Sequence, residues 1–232
     1  MPAQQIEAKW DVGFVSEDMR LYNRATLAWH MNFIQSIYPG WDPAYAEHLL
    51  HRFDLKSQQQ IKGFSHGQQV KAMLLLVLAR RPRLLVLDEP TTGLDAVART
   101  EVLGELMEVL ADEQRTIFFS SHNTQDIEKL SDQITFIDRG RIIYSTDKET
   151  FLDRWRRLRL EVPQNVDLPV LSQMVGLQKS GRQAVVTING YEPEVASAYQ
   201  AAGAIVQKVE NMTLEEIFIA NVEHSRKGRK HD

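Results

Sequence analysis

The feature that most limits the fold of this chain is an uninterrupted apolar run, LLVLD, at residues 84–88, which leads into two adjacent carboxylates, Asp88 and Glu89. Continuous apolar strands are typical of parallel sheets that are covered on both faces. A helix predicted at about 96–111 follows, then a strand TIFFSS, a helix near NTQDIEKL and a strand ITFID. Strands that alternate with helices predict an α/β domain with a parallel sheet, which ends near residue 145.

The carboxylates lie where ligands bind in open α/β sheets, beyond the carboxyl ends of the strands. Asp88 can hold Mg²⁺ through water, and Glu89 can orient and deprotonate an attacking water, as phosphoryl transfer requires. His122 follows the strand TIFFSS and can donate a hydrogen bond to a phosphate oxygen. Each feature also has an ordinary interpretation when taken alone: a solvated turn for the carboxylates and a polar loop residue for the histidine.

A second candidate for phosphate binding precedes the apolar strand. FSHGQ, at residues 64–68, is a glycine-containing turn that leads into a helix with Val70, Met73, Leu74 and Val77 at helical spacing. Free backbone N–H groups and the helix dipole make such an N-terminus an anion site. A plain serine N-cap is the alternative. The proline of RRPR is expected to end this helix.

The rest of the chain divides into a helical region, an appendage and a tail. Residues 18–53 show a helical, aromatic pattern (Trp29, Phe33, Tyr38, Trp41 and Tyr45), interrupted at YPGWDP, and most of these aromatic side chains are expected in the core. Residues 146–222 predict a small α+β accessory domain that opens with a helix over ETFLDRWRRL. Residues 223–232 predict a disordered tail. The runs RWRRLR and RKGRK are interpreted as solvated faces.

Bulk composition narrows the function classes. The chain has 232 residues, a formal net charge of -4 and no cysteine. A disulfide framework and a cysteine-based zinc site are therefore excluded, and there is no overall charge attraction to nucleic acid. The longest apolar run, AMLLLVLA, is too short to span a bilayer. Any association with a membrane is therefore expected to go through a partner.

Taken together, the order of these features resembles the nucleotide-binding subunit of an ATP-binding cassette (ABC) transporter. FSHGQ matches the signature motif usually written LSGGQ, LLVLDEP the Walker B strand, TTGLD the D-loop and SSH the switch-histidine loop. VGFVSED lies where the family has its Q-loop, and DRGRII resembles the turn that closes the domain. The resemblance covers residues 10–145. It implies an N-terminally truncated P-loop NTPase (ABC ATPase) with a parallel sheet and a helical subdomain at about 18–80, plus the small α+β C-terminal extension.

The resemblance also implies ATP and Mg²⁺ as cofactors and a role for each matching residue. Asp88 would act on Mg²⁺, with Glu17 as a possible second ligand, Glu89 would be the general base and His122 would sense the γ-phosphate. The signature and D-loop residues would face a nucleotide held mainly by a second subunit: Ser65, His66, Gly67, Gln68 and Asp95. Residues 19–53 resemble the subdomain that meets the coupling helices of a membrane partner.

The sequence departs from the family pattern at three places. Glu17 stands where the family has glutamine, His66 stands where the signature has its first glycine, and no glycine is followed by lysine. A P-loop needs the pattern G-x-x-x-x-G-K-[ST] to hold the phosphates. We expect this loop to lie upstream of a truncated start, or else to be supplied entirely by a partner. The chain alone is then expected to be poorly soluble and to show negligible ATP hydrolysis.

Three functions remain open at this stage. The first is the ATP-hydrolysing subunit of an ABC membrane transporter; the stretch LEEIF loosely resembles the end of exporter-type subunits. The second is a regulatory or partner subunit without catalysis of its own, and the third is a non-transport ABC ATPase. The first predicts a homo- or heterodimer with another ABC ATPase subunit, separate transmembrane permease subunits and no nucleic-acid partner. It also predicts a cytoplasmic location on the inner face of the cell membrane.

Overall fold

The computed structural model describes residues 9–228, and side-chain exposure as far as residue 224. The chain divides into two compact units, the first ending at Asp126 and the second beginning at Ile127. The sequence predicts a domain boundary at residue 145 instead, because DRGRII resembles the end of the family's domain. The packing assigns that segment to the second unit, and the boundary of the family's domain stays a prediction.

The first unit alternates helices and strands. Its elements are β1 (Val12–Ser16), α1 (Leu27–Ile37), α2 (Pro43–Arg52), a short 3₁₀ turn (Ile61–Gly63), α3 (His66–Leu78), β2 (Leu84–Asp88), α4 (Ala96–Leu110) and β3 (Thr116–Ser120), and α5 (Thr124–Leu130) crosses the unit boundary. The three strands form one parallel sheet in the order β1–β2–β3. The predicted α/β class with a parallel sheet is therefore confirmed.

Helix α3 packs against this sheet and supplies much of the core. Its residues from Val70 to Leu78 are all buried, as the apolar spacing predicts. The helix ends shortly before Pro82, which cannot continue its hydrogen-bond ladder. Gly13 of β1 permits the close approach, because a Cβ atom at that position would overlap the side chain of Val77.

The opposite face of the parallel sheet is largely uncovered by the described residues. The pairing places Phe14, Val86 and Phe118 in one row across the three strands. Phe14 is 50% exposed and Phe118 is 67% exposed, whereas Leu85 and Leu87, which point to the α3 side, are buried. The expectation that β2 is covered on both faces is therefore not met within residues 9–228.

The aromatic residues of the helical region also differ from expectation. Trp29 and Phe33 are close to half exposed, and Tyr38, Trp41 and Tyr45 are only partly buried, so the prediction that most of them lie in the core is wrong. The physical reason is that α1 turns Leu27 and His30 inward instead. Trp29 and Phe33 stack on each other on the outward face, with ring centroids 5.3 Å apart and planes 4° apart.

A buried carboxylate connects the helical region to the rest of the first unit. Glu105 of α4 accepts a hydrogen bond from the Tyr45 hydroxyl and pairs with Arg52 Nε at 3.0 Å. Burial of the phenol, together with the neighbouring Glu105 carboxylate, raises the pKa of Tyr45. Tyr45 therefore remains a hydrogen-bond donor throughout the physiological pH range, and this contact holds α2 against α4.

The second unit is mainly antiparallel. Its elements are β4 (Gln133–Asp138), β5 (Arg141–Asp147), α6 (Lys148–Asp153), β6 (Trp155–Glu161), β7 (Met174–Ser180), β8 (Gln183–Asn189), α7 (Pro193–Ala201), β9 (Ile205–Asn211) and α8 (Leu214–Gly228). Strands β4 and β5 form a hairpin, and the others form a sheet in the order β7–β8–β6–β9. One face of that sheet and α7 enclose a core that includes Leu158, Val186 and Tyr199.

Three local predictions for this unit need correction. ETFLDRWRRL is not one helix, because α6 ends at Asp153 and β6 begins at Trp155; from Leu158 onward, buried and less buried side chains alternate as in a strand. Strand β7 was not predicted. Helix α8 continues through residues 223–228, which corrects the prediction of a disordered tail there; residues 229–232 lie outside the described part of the chain.

No helix within residues 9–228 combines the length and hydropathy needed to cross a bilayer.

Candidate functional site

The carboxyl ends of the three parallel strands lie at one level. Ser16, Asp88 and Ser120 are paired neighbours across β1, β2 and β3. The Ser120 hydroxyl donates a hydrogen bond of 2.5 Å to Asp88 Oδ1. Asp88 is exposed, so its other carboxylate oxygen faces solvent at the rim of the sheet. The predicted metal-binding carboxylate is thus positioned by a hydroxyl group from the adjacent strand.

The Glu89 side chain makes more hydrogen bonds with described residues than the adjacent Asp88 does. Its backbone has φ of +51°, a left-handed conformation that is unusual for a residue other than glycine. Its Oε1 accepts from the His122 backbone N–H at 2.9 Å, and its Oε2 accepts from Thr92 Oγ1 at 2.8 Å and lies 2.9 Å from His122 Nδ1. The structure therefore brings the predicted base and the predicted switch histidine into direct contact.

The turn before α3 reaches the same region. Ser65 and Gln68 form a reciprocal capping box: Gln68 N–H donates to Ser65 Oγ and Ser65 N–H donates to Gln68 Oε1. His66 Nε2 lies 3.1 Å from the carbonyl oxygen of Thr92. Gly67 lies over the start of α4, close to Leu94. His66, which replaces the family's glycine, thus connects this turn to the loop after β2.

That connection depends on a glycine in the loop. Gly93 has φ of +71°, and a Cβ atom built there would lie 3.0 Å from His66 Nε2. The left-handed conformation and the lack of space both favour glycine at this position. The Asp95 carboxylate accepts from the N–H groups of Val97 and Ala98 and caps α4.

Glu17 follows β1 and is exposed. It borders a shallow cleft that is also lined by Asp88, Glu89, His66 and Thr92. Mg²⁺ prefers oxygen ligands in an octahedral arrangement and is commonly held by one or two carboxylates together with phosphates and water. The two predicted ligands, Asp88 and Glu17, both border this cleft.

Sequence reasoning missed a buried polar network behind the cleft. Asp126 is almost fully buried and accepts hydrogen bonds from Thr91 Oγ1 at 2.6 Å and from Arg99 Nε at 2.8 Å. These contacts join α5, the loop after β2 and α4. The only sequence signal was an aspartate one helical turn after His122, which does not identify its partners.

The comparisons with known proteins agree with this geometry. A family model described as ABC transporter matches residues 3–92. The chain is 26% identical over 215 residues to the ABC transporter ATP-binding protein YtrB of Bacillus subtilis, which covers 92% of this chain and 74% of YtrB.

The chain is thus similar to ABC transporter ATP-binding proteins, and its N-terminal part matches their family model.

Its similarity is to the ATP-binding subunits of such transporters. It is also 30% identical over 160 residues to the ABC transporter ATP-binding protein NatA of B. subtilis, covering 66% of this chain and 64% of NatA. A further relative is the linearmycin resistance ATP-binding protein LnrL of B. subtilis, with 30% identity over 142 residues, 59% of this chain and 45% of LnrL. The chain thus spans somewhat less than two thirds of NatA and under half of LnrL.

The fold has a known counterpart as well. A solved structure of the ATP-binding subunit of an ABC transporter matches with a TM-score of 0.58 and 24% identity, covering 66% of this chain and 65% of that one. At this identity the match supports the fold. The predicted resemblance and fold class are confirmed, and the individual roles of the site residues stay predictions.

Proposed function

We propose that this chain is an ATP-binding and ATP-hydrolysing subunit of an ABC membrane transporter, working as an exporter at the cytoplasmic face of the cell membrane. The observation that supports this most strongly is the contact between Glu89 and His122 at the sheet rim, next to Asp88. A general base, a residue that responds to the γ-phosphate and a metal-binding carboxylate are the parts that hydrolysis of a phosphoanhydride requires.

The hydrogen bonds around Glu89 are compatible with its role as base. Each carboxylate oxygen has two acceptor positions. Among the described residues Oε1 has one donor, the His122 N–H, which leaves an acceptor position for the proton of an attacking water. Thr92 and His122 hold Oε2 and so fix the orientation of the carboxylate.

ATP with Mg²⁺ supplies the γ-phosphoryl group and neutralises its charge when bound. Within this chain, Asp88 is placed to hold the ion, with Ser120 fixing one of its oxygens and Glu17 on the same cleft. Ser65, His66, Gly67 and Gln68 present the N-terminus of α3, where the helix dipole favours an anion. We propose that this surface faces the nucleotide of a second ABC subunit, as the family resemblance implies, with Asp95 nearby at the dimer interface.

The exposed aromatic side chains of α1 and of the segment before it support a membrane partner. Tyr22, Trp29 and Phe33 are exposed, and Tyr22 contacts Trp29 edge to face at 5.8 Å. Contiguous exposed aromatic groups of this kind mark protein interfaces more often than open surface. We propose that this patch is the surface that meets a transmembrane permease subunit.

The substitution Glu89→Gln tests the catalytic assignment. We expect it to lower ATP turnover by at least about 100-fold, since a positioned general base contributes roughly 10²–10⁴ in rate. The assay uses the transporter complex purified from native membranes through a tagged copy of this chain, with nucleotide binding measured in parallel. Glutamine keeps the shape of the side chain and its acceptor oxygen, so binding should be retained.

The matched control is Glu113→Gln, an exposed glutamate in the turn after α4. It should leave turnover unchanged. Equal turnover in the Glu89→Gln and wild-type complexes would remove Glu89 from the role of base. It would then favour the interpretation of this chain as a subunit without catalysis of its own.

A further inference from the structure

The second unit contains a cavity that is separate from the rim described above. It has a volume of about 350 Å³ and lies between the C-terminal part of α8 and the face of the sheet that does not contact α7. Sites for small ligands have volumes of roughly 300–1,000 Å³. The cavity is therefore large enough for a small metabolite but not for a nucleoside triphosphate.

Strand register explains why this face is polar. Arg157 pairs with Thr187 and Arg159 pairs with Val185, and Gly176 and Gln178 continue these two rows on β7. Alternate residues of the same strands, such as Leu158 and Val186, point to the other face and form the core. Side chains alternate between the faces of a strand. The floor of the cavity thus has two arginines, an amide and a hydroxyl group.

The two arginines are held in place but retain donors. Arg157 Nη1 donates to Glu216 Oε1 at 2.8 Å, and Arg159 Nε donates to Glu210 Oε2 at 3.0 Å. A guanidinium group has five N–H donors, and within the described residues one of those in each arginine is used by a carboxylate. The remaining N–H groups match the oxygens of a phosphate or carboxylate, which arginine binds in a fork geometry.

The α8 side of the cavity differs from the sheet side, because it has a carboxylate and a histidine instead of arginines. His224 Nδ1 lies 3.0 Å from the carbonyl oxygen of Val175, which leaves Nε2 as the free ring nitrogen among the described contacts. Glu223 is exposed at this rim and also lines the cavity. A carboxylate there disfavours a ligand with negative charge at both ends and favours a donor such as a hydroxyl or amine. Apolar side chains, including Leu177 and Ala220, provide contact for a short carbon chain.

We propose that this cavity binds a small soluble metabolite with one phosphate or carboxylate group. The oxyanion lies against Arg157 and Arg159, and a hydroxyl or amine group of the same molecule faces Glu223. The ligand would link α8 to strands β6 and β7. This site is independent of the nucleotide surface in the first unit.

The direct test is titration of the full chain by calorimetry with glycerol 3-phosphate, 4-hydroxybutyrate and inorganic phosphate, each up to about 10 mM, well above a millimolar dissociation constant. At least one of these probes should show saturable binding. Arg159→Ala should weaken it by about tenfold or more, as expected for loss of a charge-assisted contact. Lys208 still pairs with Glu210 at 2.8 Å in this variant, so the fold has a remaining partner for that carboxylate.

The matched control is Arg182→Ala. Arg182 is 61% exposed and pairs with Glu161 at 3.0 Å, much as Arg159 is 50% exposed and pairs with Glu210 at the same distance, but Arg182 does not line the cavity. Its removal should leave probe binding unchanged. Equal weakening by the two substitutions would show a nonspecific charge effect and overturn the proposal.

A second variant tests occupancy of the cavity instead of its charge. A Cβ atom at Gly176 would have no heavy atom nearer than 3.8 Å, so Gly176→Val adds a branched side chain on the cavity floor without an evident clash. It should abolish binding and leave the thermal unfolding of the second unit unchanged. Retained binding in this variant would place the ligand elsewhere and contradict the proposal.

A lipid headgroup offers the same phosphate chemistry, and vesicles containing phosphatidylglycerol separate the two sources. The proposal is supported if a soluble probe binds with the mutational pattern above. It is overturned if none of the three soluble probes binds, or if binding is seen only with the vesicles.

Discussion

The parallel sheet of the first unit and the four-stranded antiparallel sheet of the second each use one face for a hydrophobic core, but they differ in the chemistry of the other face. In the second unit that face has buried Trp155 at one end, where it packs on α8, and further along it has Arg157, Arg159 and Thr187, which are compatible with water. In the first unit it has Phe14 and Phe118, both exposed within the described residues. An apolar face of a parallel sheet is normally covered.

This difference indicates which residues stabilise each unit. The second unit buries Trp155, Leu158 and Tyr199 completely among its own residues. The first unit buries α3 but leaves apolar surface on its sheet and on α1, so that surface is available for contact with other protein. We therefore expect substitutions of comparable side chains to have unequal effects in the two units.

The largest effect is expected for Trp155→Ala. Trp155 is 0% exposed and packs in a cluster with Phe151, Leu214 and Ile217. Truncating a buried large aromatic side chain costs about 3–5 kcal/mol. Because the two units need not unfold together, the measurement is hydrogen–deuterium exchange of the β8 amide groups under increasing denaturant.

The matched substitution in the first unit is Trp29→Ala. This side chain is 45% exposed, so the expected loss is below about 1 kcal/mol in the exchange of α3 amide groups. If the two tryptophan substitutions cost the same, the contrast between a closed core and an open surface is wrong.

An intermediate effect is expected for Asp126→Asn. In the first unit a buried ion pair supports the candidate site: Asp126 accepts from both Thr91 and Arg99. Removing the charge leaves the Arg99 guanidinium, whose side chain is 25% exposed, without its carboxylate. Breaking a buried pair costs about 3–5 kcal/mol, and partial exposure of Arg99 places the expected loss at the low end.

Hydrogen exchange of the β3 amide groups measures this loss, and the exposed Asp18→Asn is the control. We also expect ATP turnover of the complex to fall, because Thr91 lies in the loop that positions Glu89 and Thr92. A stable Asp126→Asn protein would show that the loop is held by other contacts.

The sequence was sufficient for features set by local pattern. The apolar run that forms β2 and the serine that caps α3 were predicted from neighbouring residues, and the rim shared by Asp88 and His122 followed from the parallel arrangement of their strands. Alternation over only a few residues, as in RWRRLR, fits a strand and a helix face almost equally well, which explains the error at β6. Strand β7 contains Gly176 and Gln178, which weaken its strand pattern, and it is held by pairing with β8 across the short turn at residues 181–182.

The same limit applies to the site. The left-handed conformation of Glu89 and the burial of Asp126 depend on side chains that lie more than twenty-five residues away in the chain, including His122 and Arg99. Exposure of Trp29 and Phe33 was missed because a helical aromatic pattern does not say which face meets the core. Sequence pattern therefore identified which residues are chemically relevant, whereas their contacts required the structure.

The smallest effect is expected for Glu216→Gln, which tests the polar boundary of the second unit. The Thr213 N–H donates to Glu216 at 3.0 Å and Arg157 donates to it at 2.8 Å. The hydrogen bond from Thr213 N–H, assisted by Arg157 and opposed by burial, holds the pKa of Glu216 below its usual value of 4.5. The stabilisation is therefore present above pH 4.5 and is lost as pH falls through the lowered pKa.

Because the Glu216 side chain is about one third exposed, its removal should cost less than about 1 kcal/mol at neutral pH. The variant should differ from wild type at pH 7 and converge with it in acid, as measured by exchange of the first-turn amide groups of α8. Glu215→Gln, the exposed neighbour, should show no such convergence. A constant difference between Glu216→Gln and wild type down to acidic pH would mean that packing, and not the charge of this carboxylate, stabilises the start of α8.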